Sequence, residues 1–483
     1  MPGPVLAILL AAAGCAGVPP GAAGGLELTP CHIERLAEEV LCGTLEVPED
    51  RAAAHGPRIG IQVAVLPPLR RAAEPDPLIL LAGGPGQGAR SFAGIAARYF
   101  REVRRDRAIV LVDLRGTGGS NPLDCLRSDD ELAAIDAARH ELLFGSAGAC
   151  LAELDADPRH YTHAAALADL DEVRQRLGYA QVNLWGGSWG TRAALLYALT
   201  YPDAVRSVVL DGAVPLEMGF PASASLDAAR ALDGLVDRCA RDADCASAYP
   251  DPRAELDGLL ERLAGAPARV TLRHPRTGDA VTRTFTREAV SELLRVVLYT
   301  PVDASRLFHL VHLARQGDFA PLAAQYAYSA SMSIDEMALG ATLAVLCSED
   351  MPASADRDLV VDAGDSPFGI VYAAGWRARC VGWPAGPPLA FPPSATAPGA
   401  ALILSGEHDP VTPPRWGEVM RRHFPASRHI VVPGAAHNAS FTGCVPRLIA
   451  EFIGRGAGDG LDAACVADVP LPPIVTSLAG GRP

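Results

Sequence analysis

A serine flanked by glycines, Gly186-Gly187-Ser188-Trp189-Gly190, lies where the short apolar run 182–185 gives way to a helix-like segment. Small neighbours let a chain turn sharply from strand to helix and lift a hydroxyl above the turn, the geometry of a serine nucleophile. Such a hydroxyl is inert until an imidazole accepts its proton and a carboxylate holds that imidazole. On an α/β sheet the acid and the histidine follow the serine in that order, each after a late strand. Ser405-Gly406-Glu407-His408-Asp409-Pro410 follows the apolar run 401–404, and Pro433-Gly434-Ala435-Ala436-His437-Asn438 follows the run 429–432. Asp409 and His437 are therefore the expected acid and base, with Glu407 and His408 as alternatives beside them.

Acyl transfer also needs two backbone N–H donors for the oxygen that becomes negative. The residue after the nucleophile, Trp189, is one. The other is expected at Gly84, in the turn Gly83-Gly84-Pro85-Gly86-Gln87-Gly88 after the first buried strand. Read by itself this turn could cradle a phosphate, but it lacks the lysine and the dinucleotide spacing that such loops use. Lysine is absent from the whole chain, so all 42 basic residues are arginine. That excludes a Ser-Lys dyad and a pyridoxal Schiff base. His309 and His312 are helical neighbours without an evident third ligand, so no metal is expected, and no organic cofactor is implied.

These groups must be held by a sheet. Apolar runs at 78–81, 108–112, 182–185, 207–210, 401–404 and 429–432 read as buried parallel strands, and helical spacing over 163–177 separates two of them. Alternation of strand and helix predicts a doubly wound α/β sheet with its loops at the carboxyl edge. Residues 43–48 and 58–66 alternate like an antiparallel lead-in hairpin. From Val214 to about Trp383 the strand rhythm stops. Helices are predicted over 224–240, 252–263, 286–298, 303–315 and 334–345, forming a mainly helical cap inserted between core strands. The Pro-rich stretch 386–398 is expected as the strand back to the core.

With 483 residues the chain can bury a large core, and its net charge of −14 argues against nucleic acid or an anionic membrane surface as partner. Val5 to Ala13 is an apolar run too short to span a bilayer, followed by small residues, as in an export signal. It ends in Ala12-Ala13-Gly14-Cys15, similar to a bacterial lipobox with Cys15 as the acylated residue, although the first residues carry no positive charge. Ordinary signal cleavage is the alternative. The expected division is a signal at 1–15, a tether at 16–30, core at 31–215, cap at 216–384 and core again at 385–483. Setting Cys15 aside leaves ten cysteines: Cys31, Cys42, Cys125, Cys150, Cys239, Cys245, Cys347, Cys380, Cys444 and Cys465. An even set in an exported chain implies disulfides. Ten thiols allow about 945 pairings, and pairing of sequence neighbours is the expectation.

The combination of GGPG at 83–86, DLRGTGGS at 113–120, GGSWGT at 186–191, GEHDPVTPP at 406–414 and the closing His437-Asn438 resembles the α/β-hydrolase serine peptidases related to proline iminopeptidase. The likeness extends to the secreted tripeptidyl-aminopeptidase-like branch, covers the chain from about Cys42 to Cys465, and is weakest in the cap. It implies a serine hydrolase acting on peptides from the amino terminus. Leu346-Cys347-Ser348-Glu349-Asp350 resembles the family's cap segment, which implies that Glu349 and Asp350 bind a peptide's free amino group. Trp189 stands where tyrosine is commoner in the family. The turn at 113–120, with Asp113 and Arg115, is expected to hold loops. The core motifs fit equally a carboxylesterase or acyltransferase, because acyl transfer is shared chemistry. A non-catalytic binding protein on the same scaffold is the reading from another class.

Overall fold

The computed structural model describes residues 25–53, 55–125, 147–219, 222–273, 278–334, 337–353, 367–368 and 371–477. The signal, the lipobox with Cys15 and the first part of the tether lie outside them. Eleven strands are described: β1 (Thr29–Cys31), β2 (Val40–Pro48), β3 (Arg58–Leu66), β4 (Leu78–Leu81), β5 (Ile109–Val112), β6 (Val182–Gly187), β7 (Val205–Asp211), β8 (Ala268–Arg273), β9 (Ala280–Phe285), β10 (Ala400–Gly406) and β11 (Ser427–Val432). Nine form one sheet in the order β1-β2-β3-β5-β4-β6-β7-β10-β11. The first three run antiparallel as the lead-in, and the pairs from β5 through β11 are parallel.

The central strands are apolar on both faces because helices cover both. Successive side chains point to opposite sides of a strand, and the packing follows that rule. Ile79, Val110, Leu184, Val208 and Ile403 face one layer, shared with Leu170, Ala194 and Leu195 of the helices His163–Arg176 and Trp189–Thr200. Leu78, Leu80, Ile109, Leu111, Val209 and Leu402 face the other, with Phe100 and with Leu448, Ile449 and Phe452 of the helix Val445–Arg455. The turn at 113–120 is structural. Arg115 donates to both Asp169 carboxylate oxygens (2.6 and 2.8 Å) and to the Glu49 carbonyl, while Asp113 accepts from the amides of Arg90 and Gly119.

Between β7 and β10 the chain builds a separate apolar cluster, in which Leu232, Leu256, Leu259, Phe285, Leu294, Val297 and Phe308 are buried together. Four sequence expectations are corrected there. β8 and β9 form an antiparallel hairpin; β8 has no fully buried residue, which left its alternation weak as a signal. The helix expected over 303–315 is two, Pro301–Ala304 and Leu307–Arg315. The helix expected over 334–345 is an end and a beginning: one helix stops at Ile334 and another starts at Leu339. Between them Met337 bridges Gln87, and the Ala338 amide donates to the Gly86 carbonyl at 3.0 Å, a tertiary contact that helical geometry would forbid. Residues 386–398 form no strand. Their five prolines lack the N–H that a ladder needs.

Five disulfides join Cys31–Cys42, Cys125–Cys150, Cys239–Cys245, Cys347–Cys380 and Cys444–Cys465. All are sequence neighbours.

Candidate active site

Ser188 sits between β6 and the helix Trp189–Thr200 with φ 54° and ψ −122°. A non-glycine residue tolerates this strained backbone only where its surroundings force it. Here two glycines let strand and helix close on each other. A Cβ on Gly190 would stand 2.1 Å from the Leu81 carbonyl oxygen, and one on Gly186 would stand 2.4 Å from the Gly190 carbonyl oxygen. The Ser188 amide donates to the Asp211 carbonyl at 2.7 Å, pinning the turn to the end of β7. The glycine turn after β4 reaches the serine from the other side: a Cβ on Gly83 would lie 3.1 Å from Ser188 Cβ. Gly84 has φ 111°, a conformation that side chains disfavour. Trp189 begins the helix, so its amide belongs to the first turn, whose N–H groups lie beyond the reach of the helix's own acceptors.

Asp409 follows β10 and His437 follows β11. His437 Nδ1 meets Asp409 Oδ2 at 2.8 Å. The other oxygen of Asp409 accepts the amides of Val411 and Thr412, each at 2.8 Å, and Oδ2 also accepts the Thr412 hydroxyl at 2.7 Å. Burial alone would raise the Asp409 carboxyl, but the His437 charge and these donors bring it below the usual carboxylate range. Burial likewise disfavours charge on His437, yet Asp409, and to a smaller degree Asp211, raise its imidazole above the ordinary value. Glu407 and His408 share the loop, but Asp409 meets the imidazole.

The dipeptide Asp211-Gly212 joins nucleophile to base. Its Asp211 carbonyl holds the serine amide, and a Cβ on Gly212 would lie 3.4 Å from His437 Cε1. The Asp211 carboxylate accepts the amides of Ala439 and Ser440, both at 2.8 Å, which fixes the loop carrying His437. Complete burial pushes this carboxyl up to about 6, even though those amides favour its charge.

The insertion touches each of these parts. The Tyr299 carbonyl accepts the His437 amide at 3.1 Å, and its ring meets the imidazole edge-on with centroids 5.0 Å apart. Met337 lies within 3.1 Å of where a Gly84 Cβ would be, and the Thr342 hydroxyl donates to the Pro85 carbonyl. Glu349 and Asp350 lie side by side in a turn of π-helix, Leu346–Asp350. Both are buried with partners inside the chain. Glu349 accepts the His163 amide at 2.9 Å and pairs with that residue's ring, while Asp350 pairs with Arg192 at 2.6 Å. The two acids that the resemblance implies as amine-binding groups are thus each paired inside the chain. Burial pushes the Asp350 carboxyl up to about 6 against the opposing pull of Arg192.

Sequence reasoning brought Ser188, Asp409, His437, Gly84 and Trp189 to one sheet edge. It missed Asp211, Arg192, Tyr299 and His163. Asp211 carried a usable signal, an acid followed by a glycine at the end of the apolar run 207–210. His309 and His312 stay within the insertion, with Tyr249 and Glu255 as partners.

A family model described as alpha/beta hydrolase fold matches residues 76–443. Serine protease Hip1 of Mycobacterium tuberculosis is 27% identical over 491 residues, spanning 91% of this chain and 91% of its own. Tripeptidyl aminopeptidase of Streptomyces coelicolor is 26% identical over 92% of this chain and 86% of its own. Proline iminopeptidase of Neisseria gonorrhoeae is 32% identical over a shorter span, 28% of this chain and 32% of its own. With its strand order, its strained serine turn and these likenesses together, the chain belongs to the alpha/beta hydrolase family and is a serine hydrolase.

Proposed function

We propose that this chain is an exported serine aminopeptidase that cleaves peptides from the amino terminus through an acyl-enzyme on Ser188. The observation that carries the reading is the convergence on Asp211-Gly212, which touches both the strained serine turn and the imidazole paired with Asp409. Ser188 Oγ attacks the peptide carbonyl as His437 Nε2 takes its proton. Asp409, fixed by two amides and a hydroxyl, keeps the imidazole oriented and favours its charged form. The Gly84 and Trp189 amides donate to the oxygen that becomes negative, each worth roughly 10²–10³ in rate. His437 returns the proton to the leaving amine, and water then repeats the cycle on the acyl-enzyme.

Likeness along nearly the whole chain to a tripeptidyl aminopeptidase and a serine protease favours peptides over esters. The insertion grips both flanks of the site, at Tyr299 beside the base and at Met337 beside the glycine turn, which suits a chain end better than an internal loop. Five disulfides favour an oxidising compartment. No helix among the described residues is long and apolar enough to cross a membrane, and the lipobox-like Ala12-Ala13-Gly14-Cys15 supports attachment through a lipid on Cys15. The division into signal, tether, core and cap drawn from the sequence belongs to this proposal.

A fluorophosphonate probe is expected to label the wild type and leave Ser188→Ala unlabelled, with activity falling roughly 10⁴-fold or more. Peptide nitroanilides with free amino termini should turn over, blocked ones should not, and nitrophenyl esters should be poorer substrates. Equal turnover of blocked and free peptides would overturn the aminopeptidase reading, and preference for esters would replace it with an esterase.

A further inference from the structure

The Trp189 indole is held by side chains that the triad does not use. Its Nε1 lies 3.2 Å from His163 Nε2, and the two rings stack with centroids 6.1 Å apart and planes 25° from parallel. An indole nitrogen only donates, so His163 Nε2 is the acceptor and carries no proton. The ring proton then sits on Nδ1, facing Glu349 Oε2, while the other Glu349 oxygen accepts the His163 amide. The Arg192 guanidinium lies 4.5 Å from the indole centre; it pairs with Asp350 and donates to the carbonyls of Pro215 and Met218. Both contacts on the indole thus end on neighbouring carboxylates of a single turn of the insertion. That turn is tied to the helix Val371–Cys380 through Cys347–Cys380.

We infer that His163 is a positioning residue for acyl transfer: through the Trp189 indole it holds the oxyanion-donating amide in place, and Glu349 of the insertion holds His163. The inference rests on the reading of Ser188 as nucleophile. An oxyanion donor works only when it is aimed before the charge develops, since reorientation during reaction costs what the donor would supply. Trp189 is both that donor and the first residue of its helix, so a fixed indole restricts the peptide plane beside Ser188. Seating of the insertion on the core is felt at the reacting carbonyl through this chain of contacts. Glu349 thereby becomes a support, a role distinct from binding an ammonium.

Two variants separate the contacts of His163. In His163→Asn the side-chain amide replaces Nδ1 and keeps its bond to Glu349, but it is too short to reach the indole. In His163→Gln the amide oxygen lies near the position of Nε2 and can accept the indole N–H. With a free-amino peptide nitroanilide, His163→Asn is expected to lower kcat about tenfold with KM within about twofold, and to slow fluorophosphonate labelling by the same factor, a fraction of the loss of a whole donor. His163→Gln should recover most of the rate. Trp189→Phe should match His163→Asn, and the double variant should be no slower than either single one. A raised KM at unchanged kcat in His163→Asn would overturn the inference in favour of a substrate-binding role for the Glu349 pair. Wild-type rates in both Asn and Gln variants would overturn it in favour of packing alone. A wild type that resists the probe would remove the Ser188 reading itself, a result distinct from a labelled wild type that ignores residue 163.

Discussion

The two sides of the active site are built by different means. On the sheet side, Gly84, Ser188, Asp409 and His437 each follow the end of a parallel strand, and the ladder β4-β6-β7-β10-β11 fixes their spacing. On the insertion side, Tyr299, Met337 and Glu349 stand at ends and interruptions of helices. There they are held by single hydrogen bonds, ion pairs and one disulfide. The proposed reactive groups sit at the ends of strands joined in one backbone ladder. Groups that adjust them sit on the part whose placement depends on a few side chains. Damage on the first side should therefore remove chemistry, and damage on the second should weaken it.

The largest test of that contrast is Asp409→Asn, which keeps the shape of the loop but presents the wrong partner to Nδ1. A loss of about 10⁴ in kcat is expected, by analogy with the same change in other triads. The pH profile gives the sign. His437 must be neutral to act as base and its imidazole is raised by Asp409, so kcat/KM of the wild type should fall on the acid side of a midpoint above the ordinary histidine value of about 6.5. In Asp409→Asn that midpoint should move to lower pH. A midpoint that stays put would mean that the base is another group.

Removing Cys347–Cys380 with two serines probes the insertion. Opening a link between residues 33 apart is expected to cost roughly 3–4 kcal/mol of stability, read from urea unfolding. It should also lower kcat, because Glu349 lies two residues from Cys347. If stability falls while kcat holds, the insertion is a lid independent of the catalytic groups and the contrast is wrong. The smallest expected effect is that of Tyr299→Ala. It leaves the carbonyl that accepts the His437 amide and removes the edge-on ring, a contact worth about 0.5–1.5 kcal/mol or a loss of up to about tenfold in kcat/KM, together with the hydroxyl that accepts from Arg295.

The same division explains what could be read from the chain. Leu78–Leu81 and Ile109–Val112 are buried at every position. A continuous apolar run is therefore their necessary signature, and the glycine and acid turns after such runs are local too. The insertion has no comparable rule. One helix ends at Ile334 and the next begins at Leu339, just after the Ala338 amide bonds to Gly86, some 250 residues earlier, and nothing near Ile334 announces it. His163 reads as an ordinary helix-start histidine until the fold sets Trp189 and Glu349 against it.

By itself, then, the order of residues determined the class of sheet and pointed to Ser188, Asp409 and His437 as the groups expected at its edge. These follow from burial period and turn chemistry, both encoded within a few residues. The tertiary structure alone decided that Glu349 and Asp350 face His163 and Arg192, that Asp211 binds the histidine loop, and that Tyr299 covers the imidazole. Each of those pairs joins groups between 138 and 229 residues apart in the sequence, separations at which no local propensity operates and only packing of the finished core selects the partner.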